Sequence, residues 1–196
     1  MSGLRYQSLH GRGIAAQLEP LAALRLQVFR DWPYLYEGTL AYERAYLAHY
    51  IDCADSLVVL VWDDSRCIGT TTALPLRAAA PEMRAPFEEA GLPLHDYLYF
   101  GESVVLPEYR GRGVGMRFFE LREAHARALG LRHCCFCAVE RPEGHPLKPD
   151  GHVGNEAFWN RRGYSRQPEL ACSFEWRDYD QPAPTAHRLV YWTRTP

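Results

Sequence analysis

The chain has 196 residues, 47% of them hydrophobic and 23% charged, which is enough apolar material for a full core in a folded globular protein. A net charge of -2 and a pI near 6.4 argue against nucleic acid as a partner, and no apolar run reaches the length of a membrane span. The stretch MSGLRYQSLHGRG lacks the apolar core and cleavage site of a signal peptide, and three of the six cysteines crowd into one strand pattern, so a reduced, cytoplasmic setting is expected.

Residues 4–9 suit a short first strand. Residues 20–29 read as a helix, with Pro20 tolerated in its first turn and Leu21, Leu24 and Val28 at three- and four-residue steps. It should stop near Asp31-Trp32-Pro33, because the residue before a proline disfavours helix. The following stretch, residues 29–38, is an aromatic-rich loop that either packs over the sheet edge or forms a wall of a substrate pocket. A second helix is expected over 40–50. The apolar run SLVVLVW at 56–62, the turn Asp63-Asp64-Ser65 and the threonine-rich run at 67–76 read as a hairpin. A proline- and alanine-rich connection follows, with one short helix near 81–90.

Residues 97–106 form a strand whose strict alternation would place Leu98, Phe100, Glu102 and Val104 on one face, and Tyr99, Gly101, Ser103 and Val105 on the other. A helix at 114–129 ends at Gly130. The strand at 133–139 should lie parallel to the strand at 97–106, since a helix crosses between them. After a loop at 140–154 come a short helix at 155–162 and a final pair of strands at 169–176 and 187–192. That makes seven strands, four helices and one further short helix, taken as a single domain over 1–196.

Between the strand at 97–106 and the helix after it lies Arg110-Gly111-Arg112-Gly113-Val114-Gly115. A glycine-rich turn into a helix start exposes N–H groups without helical partners, adds the positive end of the helix dipole and lets a ligand approach the backbone closely. This is an anion site suited to phosphate or pyrophosphate. The glycine spacing fits neither the dinucleotide fingerprint nor a Walker loop.

Arg110-x-x-Gly113-x-Gly115, preceded by Val105-x-Pro107-x-Tyr109, resembles the acetyl-CoA pyrophosphate loop of the GNAT superfamily of N-acetyltransferases. The order of elements resembles that fold along nearly the whole chain, and the segment Gly154 to Tyr164 looks like its fourth-helix region. The resemblance implies a mixed α/β (α+β) fold, with a mostly antiparallel sheet of about seven strands, a splayed parallel pair and about four helices. It implies acetyl transfer from acetyl-CoA to the primary amine of a small-molecule or peptide acceptor, by direct attack in a ternary complex. Pantetheine contacts would fall on Val104, Val105 and Leu106, and pyrophosphate contacts on Arg110, Gly111, Arg112, Gly113, Val114 and Gly115. Asn155 matches a position that contacts the coenzyme arm. The aromatic loop would border the acceptor, and with Asp31 and Glu37 it would suit a cationic amine.

Amine acetylation calls for a general base near the operating pH. Glu102 is the candidate, an acid in a largely apolar strand; the alternative is a structural carboxylate paired with an arginine or hydroxyl. The family's proton-donating tyrosine is missing, because Phe158 and Trp159 occupy its region. Tyr164 is the substitute, with a core aromatic as its alternative. Cys134 and Cys137 fall on opposite faces of one strand and no second pair accompanies them, so no metal is expected. The other functional reading is a non-catalytic acyl-CoA-binding sensor. The edge of the last strand pair could support a homodimer.

Overall fold

Runs of β-branched and aromatic residues build one seven-stranded sheet. The structure, a computed structural model, describes residues 3–195; residues 1, 2 and 196, which the expected domain includes, lie outside the described residues. The strands are β1 (Arg5–Leu9), β2 (Leu57–Asp63), β3 (Arg66–Pro75), β4 (Tyr97–Val105), β5 (His133–Val139), β6 (Ser165–Trp176) and β7 (Thr185–Arg194), in the spatial order β1-β2-β3-β4-β5-β7-β6. Every neighbouring pair is antiparallel except β4 and β5. The expected sheet and its single parallel pair are therefore present.

Five α-helices accompany the sheet: α1 (Leu18–Phe29), α2 (Leu40–Asp52), α3 (Pro81–Glu89), α4 (Val114–Ala128) and α5 (Glu156–Arg161). The short helix expected near 81–90 is α3. Thr39 caps α2, its Oγ1 accepting from the Tyr42 N–H at 3.2 Å. Leu21 of α1, Leu47 and Tyr50 of α2 and Phe87 of α3 join one buried cluster with Tyr99 and Tyr191. Val114, Phe118 and Phe119 of α4 join another with Phe100, Phe136 and Tyr164. β6 begins four residues earlier than its apolar pattern suggested and takes in Pro168 through a register shift between Gln167 and Ala171. An edge strand tolerates a proline that a central strand would not.

Two irregularities of β4 open the centre of the sheet. Its parallel pairing with β5 covers only Tyr97 to Tyr99, opposite His133 to Cys135, and then the two strands part. Against β3, Phe100 pairs with Ala73 and Ser103 with Thr71, so Gly101 and Glu102 together oppose Thr72. An extra residue of this kind bends a strand and re-aims its side chains. The face assignment read from strict alternation is corrected accordingly. A Cβ on Gly101 would meet the Tyr50 hydroxyl, and the Glu102 carboxylate reaches Arg25 of α1, so both residues turn toward α1 and α2.

Candidate active site

The glycine turn closes β4 and opens α4. Gly111 and Gly113 have φ of 74° and 81°, a region that side chains strain to enter, and Gly113 is the N-cap. No side chain caps this helix. The N–H of Arg117 is bonded to the Gly113 carbonyl at 3.1 Å, and the N–H groups of Val114, Gly115 and Met116 precede any such bond. A Cβ built on Gly111, Gly113 or Gly115 meets nothing within 4 Å, so the backbone here borders open space. Arg110 and Arg112 stand exposed at its rim. Arg110 Nε donates to the Val105 carbonyl at 3.2 Å, and Arg112 stacks over Tyr109, whose hydroxyl donates to Asp63 at 2.6 Å.

From this turn a cleft of 1380 Å³ runs into the gap between β4 and β5. The Leu106 N–H is bonded to the Ile68 carbonyl at 2.9 Å, so strand alternation turns the backbone of Val105 toward the gap and that of Leu106 toward β3. Of the three residues expected to offer backbone there, Leu106 has its N–H occupied. Asn155 sits exposed at the start of α5 and lines the same cleft, as do Phe158 and Trp159. Beneath lies Arg122 of α4, 2% exposed, its guanidinium over the rings of Phe100 and Phe119 at 4.1 and 4.7 Å. Burial lowers its pKa to about 10, which still leaves it charged at neutral pH. Its Nη1 donates to the Glu102 carbonyl at 3.4 Å.

Glu102 stands where this cleft meets a second, smaller pocket on the α1–α2 face. Its carboxylate is 1% exposed and takes a 2.7 Å ion pair from Arg25 Nη1, with the Tyr46 hydroxyl donating at 3.4 Å. Arg25 is also paired with Glu43 of α2. The amino-acid pattern anticipated an arginine partner for Glu102 but identified neither Arg25 nor Glu43. The signal was present: Arg25 follows Leu21 by four residues and Glu43 precedes Leu47 by four, so each charge lies within the apolar stripe of its helix.

The aromatic loop does form a wall of the cleft, through Phe29, Trp32, Pro33 and Tyr34. It is tied down by Arg141 from the loop after β5. Arg141 donates to the carbonyls of Pro33 at 2.7 Å and Tyr34 at 2.6 Å, and pairs with buried Asp178 at 2.6 Å. The Trp176 indole N–H donates to the Tyr34 carbonyl at 3.0 Å, and the His187 ring stacks on Trp176 at 3.8 Å. Burial and the Arg141 charge lower the His187 pKa. Asp31 and Glu37, expected to meet a cationic amine, are engaged by Arg110 and Arg30 respectively. The buried carboxylates that face the inner pocket are Glu43 and Glu102.

Tyr164 is not brought to the cleft. It is 1% exposed among Phe100, Phe119 and Phe136, and its hydroxyl donates to Glu123 at 3.1 Å. Burial raises its pKa, and Arg162 and Arg194 also bind Glu123. Cys137 lies at the wall shared by both pockets, its Sγ 3.3 Å from the Tyr99 hydroxyl. Among the described residues no group of three or more His, Cys, Asp or Glu is placed to hold a metal ion, and no helix is long and apolar enough to cross a membrane.

The sequence model of the Acetyltransferase (GNAT) family matches residues 21–147. No curated protein matches the chain. Solved structures share its fold. An N-acetyltransferase from Staphylococcus aureus Mu50 aligns over 99% of each chain at 11% identity, with a TM-score of 0.60. The PaiA N-acetyltransferase of Thermoplasma acidophilum, in complex with coenzyme A, aligns over 100% of each chain at 11% identity and 0.58. An aminoglycoside 6'-N-acetyltransferase complexed with coenzyme A aligns over 97% of this chain and 96% of its own at 12% identity and 0.58.

Proposed function

The chain belongs to the Acetyltransferase (GNAT) family, and on that premise we propose that its 196 residues act as one cytoplasmic domain that moves an acetyl group from acetyl-CoA to a primary amine. The acceptor is a small molecule or a peptide, and the transfer is a direct attack in a ternary complex. One observation carries this reading: the cleft that starts at the glycine turn and the inner pocket share the wall Phe29, Tyr34, Gly101, Glu102 and Cys137. A donor entering from one side and an acceptor from the other would meet there. The Thermoplasma enzyme and the aminoglycoside enzyme both have this fold, and the coenzyme A they bind is extended to this chain as part of the proposal.

The pyrophosphate is held by the N–H groups from Gly111 to Gly115, with Arg110 and Arg112 supplying charge at the rim. Val105 offers strand backbone to the pantetheine arm, with Val104 and Leu106 turned to β3 and packed behind it, and Asn155 faces the arm from the start of α5. Glu102 accepts the proton that the amine loses. The amine nitrogen forms the new C–N bond at the thioester carbonyl, the C–S bond breaks, and the thiolate takes up one proton. With Tyr164 bound to Glu123, water supplies that proton; a thiol pKa of about 8.5 makes the thiolate a fair leaving group without a dedicated acid. The exposed edge strand β6 is the place for a homodimer contact, which sedimentation would reveal.

The Arg25–Glu102 ion pair favours one other reading, a non-catalytic acyl-CoA sensor, because the carboxylate already has a structural partner. Mass spectrometry on a panel of primary amines incubated with acetyl-CoA separates the two. An N-acetylated amine supports the enzyme; tight acetyl-CoA binding with no product from any amine supports the sensor.

A further inference from the structure

The inner pocket is an open recess of 110 Å³, and three buried ionic side chains from three elements line it. Arg25, Glu43 and Glu102 are 6%, 0% and 5% exposed. One guanidinium spans two carboxylates, with Arg25 Nε on Glu43 Oε2 and Nη1 on Glu102 Oε2. These three side chains alone carry one net negative charge, and the buried Arg122 guanidinium meets Glu102 at its backbone carbonyl and not at its carboxylate. The second oxygen of each acid, Glu43 Oε1 and Glu102 Oε1, is buried and has no hydrogen-bond partner within 3.5 Å among the described residues, with the Tyr36 hydroxyl the neighbouring polar group of Glu43. A buried ionised oxygen without a donor is costly, and it marks a place where a ligand's donor can be gained. Arg25 is fixed in the wall between the rings of Phe29 and Tyr46, at 4.9 and 4.3 Å. Tyr36, Tyr42 and Trp176 are among the other lining residues, as is the exposed carboxylate of Glu175, and aromatic faces attract cations.

We propose that Glu43 and Glu102 bind the acceptor as an alkylammonium ion, and that Glu43 is the residue selecting a cationic amine over a neutral molecule of the same shape. This rests on the acetyl-transfer reading for its meaning. An ammonium ion supplies one positive charge and donors for both free oxygens, which suits the net negative charge of Arg25, Glu43 and Glu102. The charge stays balanced when the proton moves from the ammonium to Glu102, because Arg25 and Glu43 then remain as a neutral pair around a neutral amine. The space is smaller than the roughly 150 Å³ cavity that holds a benzene ring, so it admits an unbranched aminoalkyl end. Such an end belongs equally to a free alkylamine and to a lysine side chain.

The test is a melting experiment at pH 7.5 without acetyl-CoA, using n-butylammonium, Nα-acetyl-lysine methylamide and 1-butanol. A saturable rise in Tm with either ammonium compound, and none with the alcohol, is expected. Response to both ammonium compounds admits lysine side chains, and response to butylammonium alone restricts the site to small amines. In Glu43→Gln the amide oxygen can still accept from Arg25 and the box is neutral, so the fold is retained and the rise is lost. With acetyl-CoA present, the same variant should lower kcat/KM for n-butylamine about tenfold or more, through KM. Equal response to alcohol and ammonium overturns the proposal, as does an undiminished response in Glu43→Gln. Should that variant fail to fold, the wild-type comparison of ammonium with alcohol decides alone. Ammonium binding that depends on Glu43, without acetylation of any amine, would refute the transfer reading and leave this site standing. Acetylation indifferent to Glu43 would do the reverse.

Discussion

The two sides of the β4–β5 gap are built from different materials. The side proposed for the donor is backbone: a run of six residues, Arg110 to Gly115, that offers N–H groups beside glycines bordering open space. The side proposed for the acceptor is side chain: Arg25, Glu43 and Glu102 come from two helices and a strand and meet only in the folded sheet. A backbone site is local and largely independent of the core. A site made from buried charges is part of the core, so removing a charge there costs stability as well as binding unless the replacement keeps its hydrogen bond to Arg25.

The largest effect should fall on the donor side. Gly113→Glu places a carboxylate at the turn proposed to hold the phosphates and forces a side chain into a φ of 81°. Titration calorimetry should show acetyl-CoA binding abolished, while n-butylammonium still raises Tm. Loss of both responses would erase the distinction between the two sides. Next comes Arg25→Met, which leaves two buried carboxylates without a counter-charge and should destabilise the fold by about 3–5 kcal/mol in denaturant unfolding. A loss under about 1 kcal/mol would mean that the triad is not an integral part of the core.

The same contrast explains what could be read from the sequence. The glycine turn was legible because its spacing, the strand before it and the helix after it are contiguous. The element order and the single parallel pair were legible because apolar periodicity records them strand by strand. The position of Glu102 was legible, but its direction was not. Strict alternation sent it to the wrong face, since nothing local in Gly101-Glu102 announces that both residues oppose Thr72. Arg25 and Glu43 announced themselves only as charges on apolar helix stripes, and their pairing spans 18 residues. For Tyr164 the sequence left a catalytic and a core role open, and in space Glu123 holds its hydroxyl in the core.

The smallest effect concerns pH. Burial and the neighbouring Arg141 depress the folded pKa of His187, and burial depresses that of His125. The unfolded chain therefore binds these protons first, at its ordinary pKa of about 6.5. Stability from both groups is fully present above that pH and is lost as pH falls through it toward the folded values. Tm should decline on acidification below about pH 6.5, and less steeply in His187→Gln. His187 adjoins the Arg141–Asp178 tie of the acceptor wall, so this decline should leave acetyl-CoA affinity unchanged until the fold itself melts. An affinity that falls in step with Tm would show that the two sides are coupled.

The most direct test of the central claim, that donor and acceptor meet at Glu102, is amine-dependent thiol release from saturating acetyl-CoA by the wild type and by Glu102→Gln. The wild type should release thiol only when a primary alkylamine is present. Glu102→Gln should bind acetyl-CoA as the wild type does and release thiol about 10²-fold more slowly, the lower bound for loss of a general base. Release at the wild-type rate in Glu102→Gln, or none from the wild type with any amine, would contradict that claim.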